Sequence, residues 1–350
     1  MVTAVRRQWP GAVELDVTIS GGEQACPALA YPALTGRPEP GDRVLLNTTA
    51  LAQGLGTGGY AFVVAIPDRL PPDPPRARGH VVKARYTPLQ ATVLGVDEQE
   101  SPHHHLLSEA DDLGGMPVVV ADLHSALPAV LAAITEPGFR AAYVMLDGGA
   151  LPAWFSRTSA ALREAGWLAG TITAGQALGG DLEAVTLHTG LLAARHVLAA
   201  DLAVVAQGPG NLGTGTRWGF SGVACGEAVN AAAALNGRPV ASLRVSEADP
   251  RDRHRGVSHH SLTAYGRVAL ARADVVVPEL PGEFGARVAG QAAPLGERHR
   301  LVRVPVDGLL DALRSVPVPL STMGRGLDQD PAYFLAAAAA GRHALALLRG

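Results

Sequence analysis

From residue 116 onward the chain repeats one unit: a short, mostly apolar run, a polar loop, then apolar residues at helical spacing. The runs fall at 118–121, 141–146, 168–172, 202–206, 240–245, 275–277 and 301–304. Strands apolar on both faces need cover on both faces, and the intervening helices supply it. The pattern predicts a doubly wound, mostly parallel α/β sheet. Ser125 stands where an N-cap belongs, ahead of Leu127, Val130, Leu131 and Ile134, with Pro128 in the first turn. A second helix is expected from near Pro152 to Gly166. A third is expected from Asp181, as its cap, to about Ala199. The alanine-rich stretch 333–348, broken by Arg342 and His343, reads as a docking helix.

Residues 1–97 follow another pattern. The alternation at 13–19 and the short apolar runs at 44–46 and 61–66 are separated by Pro/Gly-rich turns at 35–41 and 67–79. Short strands at that spacing predict a small barrel- or sandwich-like β-rich domain, which 81–86 and 91–96 would extend. Residues 98–115 are polar, lack periodicity and read as a connector to a Rossmann-like domain at 116–350.

Composition removes several function classes. With 350 residues, 47% of them hydrophobic, the chain can bury a large core and is not a disordered one. A net charge of −3 offers no basic field for nucleic acid. No run approaches the roughly 18 apolar residues that span a bilayer. No apolar stretch follows Arg6 and Arg7 as a secretory signal would require, so the cytoplasm is the expected location. Cys26 and Cys225 make no disulfide framework. A homo-oligomer is left open.

Parallel strands put their following loops on one edge, where open α/β sheets bind ligands. Asp122, His124, Asp147, Thr171, Thr173, the loop 208–216 and the loop 247–260 would therefore converge. The last of these is the densest in chemistry. RVSEADPRDRHRGVSHHSLT, at 244–263, spaces Asp249, Asp252, His254, His259 and His260 with Arg251, Arg253 and Arg255. Mixed oxygen and nitrogen ligands of this kind suit a catalytic zinc, manganese or iron ion with an open position. Ser258 can cap the helix that follows, leaving His259 and His260 in its first turn, where neutral imidazole is favoured. The arginines fit an anionic ligand held by fork geometry. The same residues could instead form an ion-pair network that steadies a long loop.

Gly208, Gly210 and Gly213 satisfy G-x-G-x-x-G directly after a strand. Pro209 and the late start of the next helix depart from the dinucleotide fingerprint. A phosphate-cradling loop, with Thr214, Gly215 and Thr216 contributing, and a merely tight connection are the other readings. Leu55-Gly56-Thr57-Gly58 repeats 212–215 and could offer a second glycine loop. Lys83 is the only lysine among 29 basic residues, so it either serves as a shiftable ammonium or survives by chance. His103 and His104, in ESPHHH at 100–105, could complete a metal site if that segment folds over the sheet edge.

Taken together, GLGTGGYAFVV at 54–64, GHVVKARYTPLQ at 79–90, ESPHH at 100–104, GPGNLGTGTRWGFSG at 208–222 and the 244–263 block resemble a bacterial family known as domain of unknown function 3866. The resemblance covers nearly the whole chain. It implies no mechanism, but it marks Lys83, His103 and His104 as site candidates, because they lie inside the blocks that carry it.

The expectation is a metal-assisted hydrolase or transferase acting on a phosphorylated or otherwise anionic small molecule. Asp249, Asp252, His254, His259 and His260, with His103 and His104, would supply ligands and a general base. The 208–216 loop would hold the anion, Arg251 and Arg253 would neutralise it, and Lys83 would assist. A sensor that binds a nucleotide or metabolite without turnover, and an NAD(P)-dependent oxidoreductase, are the alternatives.

Overall fold

A computed structural model describes residues 1–20, 25–72, 78–134 and 138–350. The turn expected at 67–79 includes 73–77, which lie outside the described residues. Near the N-terminus, β1 (Val2–Trp9), β2 (Ala12–Thr18), β3 (Ala25–Ala30), β4 (Leu45–Asn47) and β5 (Ala61–Ala65) form a sheet of order β1-β2-β3-β5-β4, antiparallel except for β3 and β5. Val2 N–H donates to Asp42 O at 2.8 Å and Gly41 N–H to Val2 O at 2.9 Å. These bonds tie one edge to the segment leading into the other, so the sheet curls in a barrel-like way. Leu15, Val17, Ala28 and Val63 fill its interior.

Contrary to expectation, 81–86 and 91–96 do not extend that sheet. β6 (Val81–Lys83) and β7 (Ala91–Val93) make a separate hairpin. The chain turns sharply through positive φ at Ala84 and Tyr86, which stops the strand at Lys83. Residues 98–115 contain a short helix, His104–Leu107, and bury Leu107 and Leu113 in the main core.

Every apolar run expected after residue 116 belongs to one eight-stranded, all-parallel sheet. In chain order its strands are β8 (Pro117–Val120), β9 (Ala141–Leu146), β10 (Gly170–Thr173), β11 (Leu182–Glu183), β12 (Leu202–Gln207), β13 (Arg238–Ser242), and, after a small antiparallel hairpin of β14 (Val245–Ser246) and β15 (Gly256–Val257), β16 (Asp274–Glu279) and β17 (Arg300–Pro305). The order across the sheet is β11-β10-β9-β12-β8-β13-β16-β17. β8 shows why both faces needed cover: Val118 and Val120 enter one hydrophobic cluster, Val119 and Ala121 the other. Helices Leu187–His196, Ala224–Ala234 and Gly282–Ala292 close the first face. Helices Leu127–Ala132, Leu309–Arg314 and Pro331–Leu348 close the second, the last lying across β8, β13 and β16 as a docking helix. Its alanines bring the helix backbone close to the sheet, and Phe334, fully buried, fills the space they leave.

Three local expectations change. Asp181 precedes the short edge strand β11, and Thr186 caps the helix that follows by accepting from Thr189 N–H. Ser156 rather than Pro152 begins the helix Arg157–Glu164, accepting from Ser159 N–H at 2.9 Å. The Ser125 hydroxyl bonds Tyr333 Oη at 2.8 Å instead of capping a helix, which ties the first helix to the last.

Candidate functional site

β8 lies between β12 and β13. The chain leaves β8 past β12 to reach β9, and later leaves β12 past β8 to reach β13. Winding therefore diverges around β8, and its carboxyl end is a switch-point crevice of the kind that holds ligands. The first polar residues beyond these strands meet there. Asp122 follows β8, Gln207 ends β12, and Arg244 follows β13. Gln207 Nε2 donates to Asp122 O at 2.9 Å.

Asp122 Oδ2 accepts from His260 Nδ1 at 2.9 Å and from Arg244 Nη1 at 3.1 Å. All three side chains are buried. Burial is the strongest influence on the Asp122 carboxyl and opposes ionisation. The His260 hydrogen bond and the Arg244 charge outweigh it together, and the group sits below the usual carboxylate range. Asp122 Oδ1 lies against Gly222, where a Cβ would come within 1.8 Å of it. Only glycine lets the carboxylate enter so far.

Ser258 turns the chain into the helix His259–Thr263, its Oγ accepting from His260 N–H at 3.2 Å and bonding His254 Nδ1 at 2.8 Å. One serine thus fixes the His254 imidazole and the backbone turn that carries His260. The rings of His254, His259 and His260 lie 4.5–5.0 Å apart between centroids. Each offers one nitrogen within 4.8 Å of the others, so the three could hold a metal ion. With the Nδ1 proton of His260 committed to Asp122, that ring presents Nε2 as its lone pair. His259 Nε2 is buried without a hydrogen-bond partner. Burial first, then the Arg244 and Arg251 charges, push the His254 pKa down to about 3. Burial, then His260 and Arg253, push that of His259 down to about 4. Both rings are neutral near pH 7.

The glycine loop plays a different part from the one its spacing suggests. Thr214 N–H donates to Gly219 O at 2.7 Å and Ser221 N–H to Leu212 O at 2.9 Å, closing a small hairpin. Leu212 N–H and Gly219 N–H are spent on Ser221 Oγ and Thr216 Oγ1. Thr214 Oγ1 is spent on Gly219 O. Gly210 and Gly215 take positive φ, whereas Gly208 and Gly213 do not. The hairpin delivers Phe220, whose ring stacks on His260 at 3.8 Å and within 6° of parallel. The next α-helix begins only at Ala224, after a single 3-10 turn at Ser221–Val223.

The structure separates the remaining candidates. Asp249 is buried and receives two bonds from the Arg251 side chain, at 2.9 and 2.8 Å, and one from Arg325 at 3.3 Å. Arg325 also holds the buried Asp330, which accepts from Ser246 Oγ at 2.6 Å. Asp249 thus latches the loop to Arg325, in a small hairpin that pairs Ser321–Thr322 with Arg325–Gly326. Asp252 is exposed and stands apart from the imidazoles. Arg253 is exposed, has no hydrogen-bond or ion-pair partner among the described residues, and reaches toward Gly215 beside His259. His104 Nδ1 bonds Asp97 O at 2.7 Å, and the helix it opens packs on Leu187–His196. Neither His103 nor His104 joins the imidazole cluster. Lys83, fully buried, donates to the carbonyls of Ala177 and Ala184 at 2.8 and 2.9 Å and pairs with Glu183 at 3.5 Å. It pins the β6–β7 hairpin to the far edge of the sheet.

Sequence reasoning gave no role to Arg244, Gln207 or Phe220; it placed Asp122 only among the converging loops and Ser258 only as the cap of the helix that follows. The available signal was position, because Asp122, Gln207 and Arg244 are the first polar residues at three strand ends.

Among the described residues no helix is long and apolar enough to cross a membrane. No curated protein and no solved structure matches the chain. A family described as "Protein of unknown function (DUF3866)" matches residues 27–341, nearly the whole length, and the chain belongs to that family.

Proposed function

We propose that this protein is a metal-assisted hydrolase or transferase acting on a phosphorylated or otherwise anionic small molecule. The observation that carries the reading is the gathering of three imidazoles at the switch point, one with a buried, unpartnered Nε2. A buried polar atom without a partner is costly, and a metal ion is one way to satisfy it. The donor chemistry fits. Three histidines with a carboxylate behind one of them form a recurring arrangement for zinc and related ions. Tetrahedral ligation at about 2.1 Å needs donors roughly 3.4 Å apart, so small ring rotations would draw the set together. Such an ion supplies Lewis acidity and an open position for water.

The protein's own groups set the rest. Asp122 fixes the His260 tautomer and neutralises part of the local positive charge. Arg244 behind the site and Arg253 at its mouth favour an anionic substrate, and Arg253 is the guanidinium with its donors uncommitted. The glycine loop closes on itself as a hairpin, which does not favour a nicotinamide cofactor.

The test is metal analysis of the purified protein, followed by a screen of zinc-, manganese- and iron-loaded samples against phosphate esters and anhydrides. His259→Ala should lose both the ion and turnover. Arg253→Ala should keep the ion and raise KM about tenfold, the loss of one charge-assisted contact. Turnover that survives complete metal removal would refute the reading. Metal and anion binding without turnover would turn it into a sensor.

A further inference from the structure

A cavity of about 930 Å³ opens away from the histidines, between the turn after β1 and the helix Arg157–Glu164. We infer that it is a second binding site, for a nucleotide-sized aromatic anion. Its volume lies in the range of small-molecule sites, and such sites are common where two structural units meet.

The cleft is built rather than left over. The Trp154 indole lies between two glycines, and a Cβ on Gly11 would sit 2.1 Å from it, one on Gly179 2.4 Å. Trp154 O also accepts from Trp9 Nε1 at 2.6 Å, so two indoles are fixed beside the opening. Both line it; the two glycines enclose Trp154, so the Trp9 indole is the flat apolar surface offered to a planar ring.

Charge selects the other end of the ligand. The Arg157 guanidinium lies 5.7 Å over the Trp9 ring and has no hydrogen-bond or ion-pair partner among the described residues. Arg7 is exposed and reaches Glu14 only at 4.0 Å. Arg163, in contrast, is occupied by Asp181 at 2.5 Å and by Ala169 O. This pair also removes Asp181 as a free repulsive charge; the exposed Glu164 is the remaining carboxylate of the lining, set against Arg7 and Arg157.

On the floor, Ser159 Oγ and Thr171 Oγ1 are buried 3.3 Å from each other, and each keeps bonding capacity beyond that contact. Ser156 Oγ is already committed to His124 Nε2 at 2.7 Å and to the Ser159 N–H. An indole for a base, guanidiniums for a phosphate and spare hydroxyls for a sugar describe a nucleotide. Inorganic phosphate or an uncharged nucleoside would use only part of the set. The inference stands independently of the histidine cluster.

Tryptophan fluorescence tests it, with AMP, GMP, adenosine and inorganic phosphate as probes. AMP or GMP should quench saturably, with adenosine and phosphate at least about tenfold weaker. Arg157→Ala, at an exposed position, should keep the fold and weaken nucleotide binding about tenfold. His254→Ala should leave nucleotide binding at this cleft unchanged. Absence of saturable quenching by either nucleotide overturns the inference. So does wild-type nucleotide affinity in both Arg157→Ala and Arg7→Ala.

Discussion

Replacing Asp122 by Asn preserves the shape of the side chain and removes its charge, which makes it the sharpest probe of the histidine cluster. Oδ2 receives two donors, His260 Nδ1 at 2.9 Å and Arg244 Nη1 at 3.1 Å. An amide nitrogen in that place would face both. With the amide reversed, its NH₂ would take the place of Oδ1, which is buried without a partner against Gly222. Neither orientation is satisfied, and Arg244 loses its counter-charge while buried. Breaking one side of a buried ion pair costs about 3–5 kcal/mol. Loss of the carboxylate behind a metal-binding histidine costs about 10–100-fold in metal affinity, or about 1.4–2.7 kcal/mol. Competition against a chromophoric zinc chelator reads the second quantity, and denaturant unfolding of the metal-free protein reads the first. An Asp122→Asn variant with wild-type zinc affinity and wild-type stability would refute this account of the cluster.

Other predictions follow from the same contacts. His124 is buried between Tyr143 Oη and Ser156 Oγ, and burial pushes its pKa down to about 4 from 6.5. The unfolded state then binds more protons between these values, so stability is lost as pH falls through that window, at up to about 1.4 kcal/mol per pH unit. In His124→Gln the slope of unfolding free energy against pH over that range should fall by up to this amount; a slope equal to wild type contradicts the assignment. Lys83→Met strips three carbonyls and Glu183 of their donor, so it should destabilise by about 3–5 kcal/mol while zinc stoichiometry and affinity stay unchanged. A loss of zinc binding by the folded variant would return Lys83 to the site. Arg325→Ala removes a shared partner of Asp249 and Asp330, and should expose the 246–251 loop to proteolysis before the sheet unfolds. Cleavage at the wild-type rate would show that the latch does not hold that loop.

The sheet was legible because a strand buried on both faces must be apolar throughout, and runs such as 141–146 and 202–206 have no other simple explanation. β11 was hidden because two residues, Leu182 and Glu183, leave no periodic signal. The histidines were legible as a local excess in a loop after a strand. Their partners were not. Asp252 lies closest in sequence but is exposed and outside the cluster, and Arg251 and Arg325 consume Asp249. Asp122, 138 residues upstream, reaches His260 only because β8 and β13 are neighbours in the sheet. The glycine spacing left its three readings open for a related reason. G-x-G-x-x-G specifies backbone freedom, and here that freedom makes a hairpin that carries Phe220 onto His260.

Cobalt titration of the metal-free protein tests the central claim most directly, because visible absorption reports both stoichiometry and geometry. One ion per chain should bind with the intense bands of a tetrahedral, nitrogen-rich site, and these should disappear in His254→Ala and His259→Ala but persist in Asp252→Asn. A folded wild-type protein that takes up no cobalt, or binds it equally well without His254 and His259, would contradict the account.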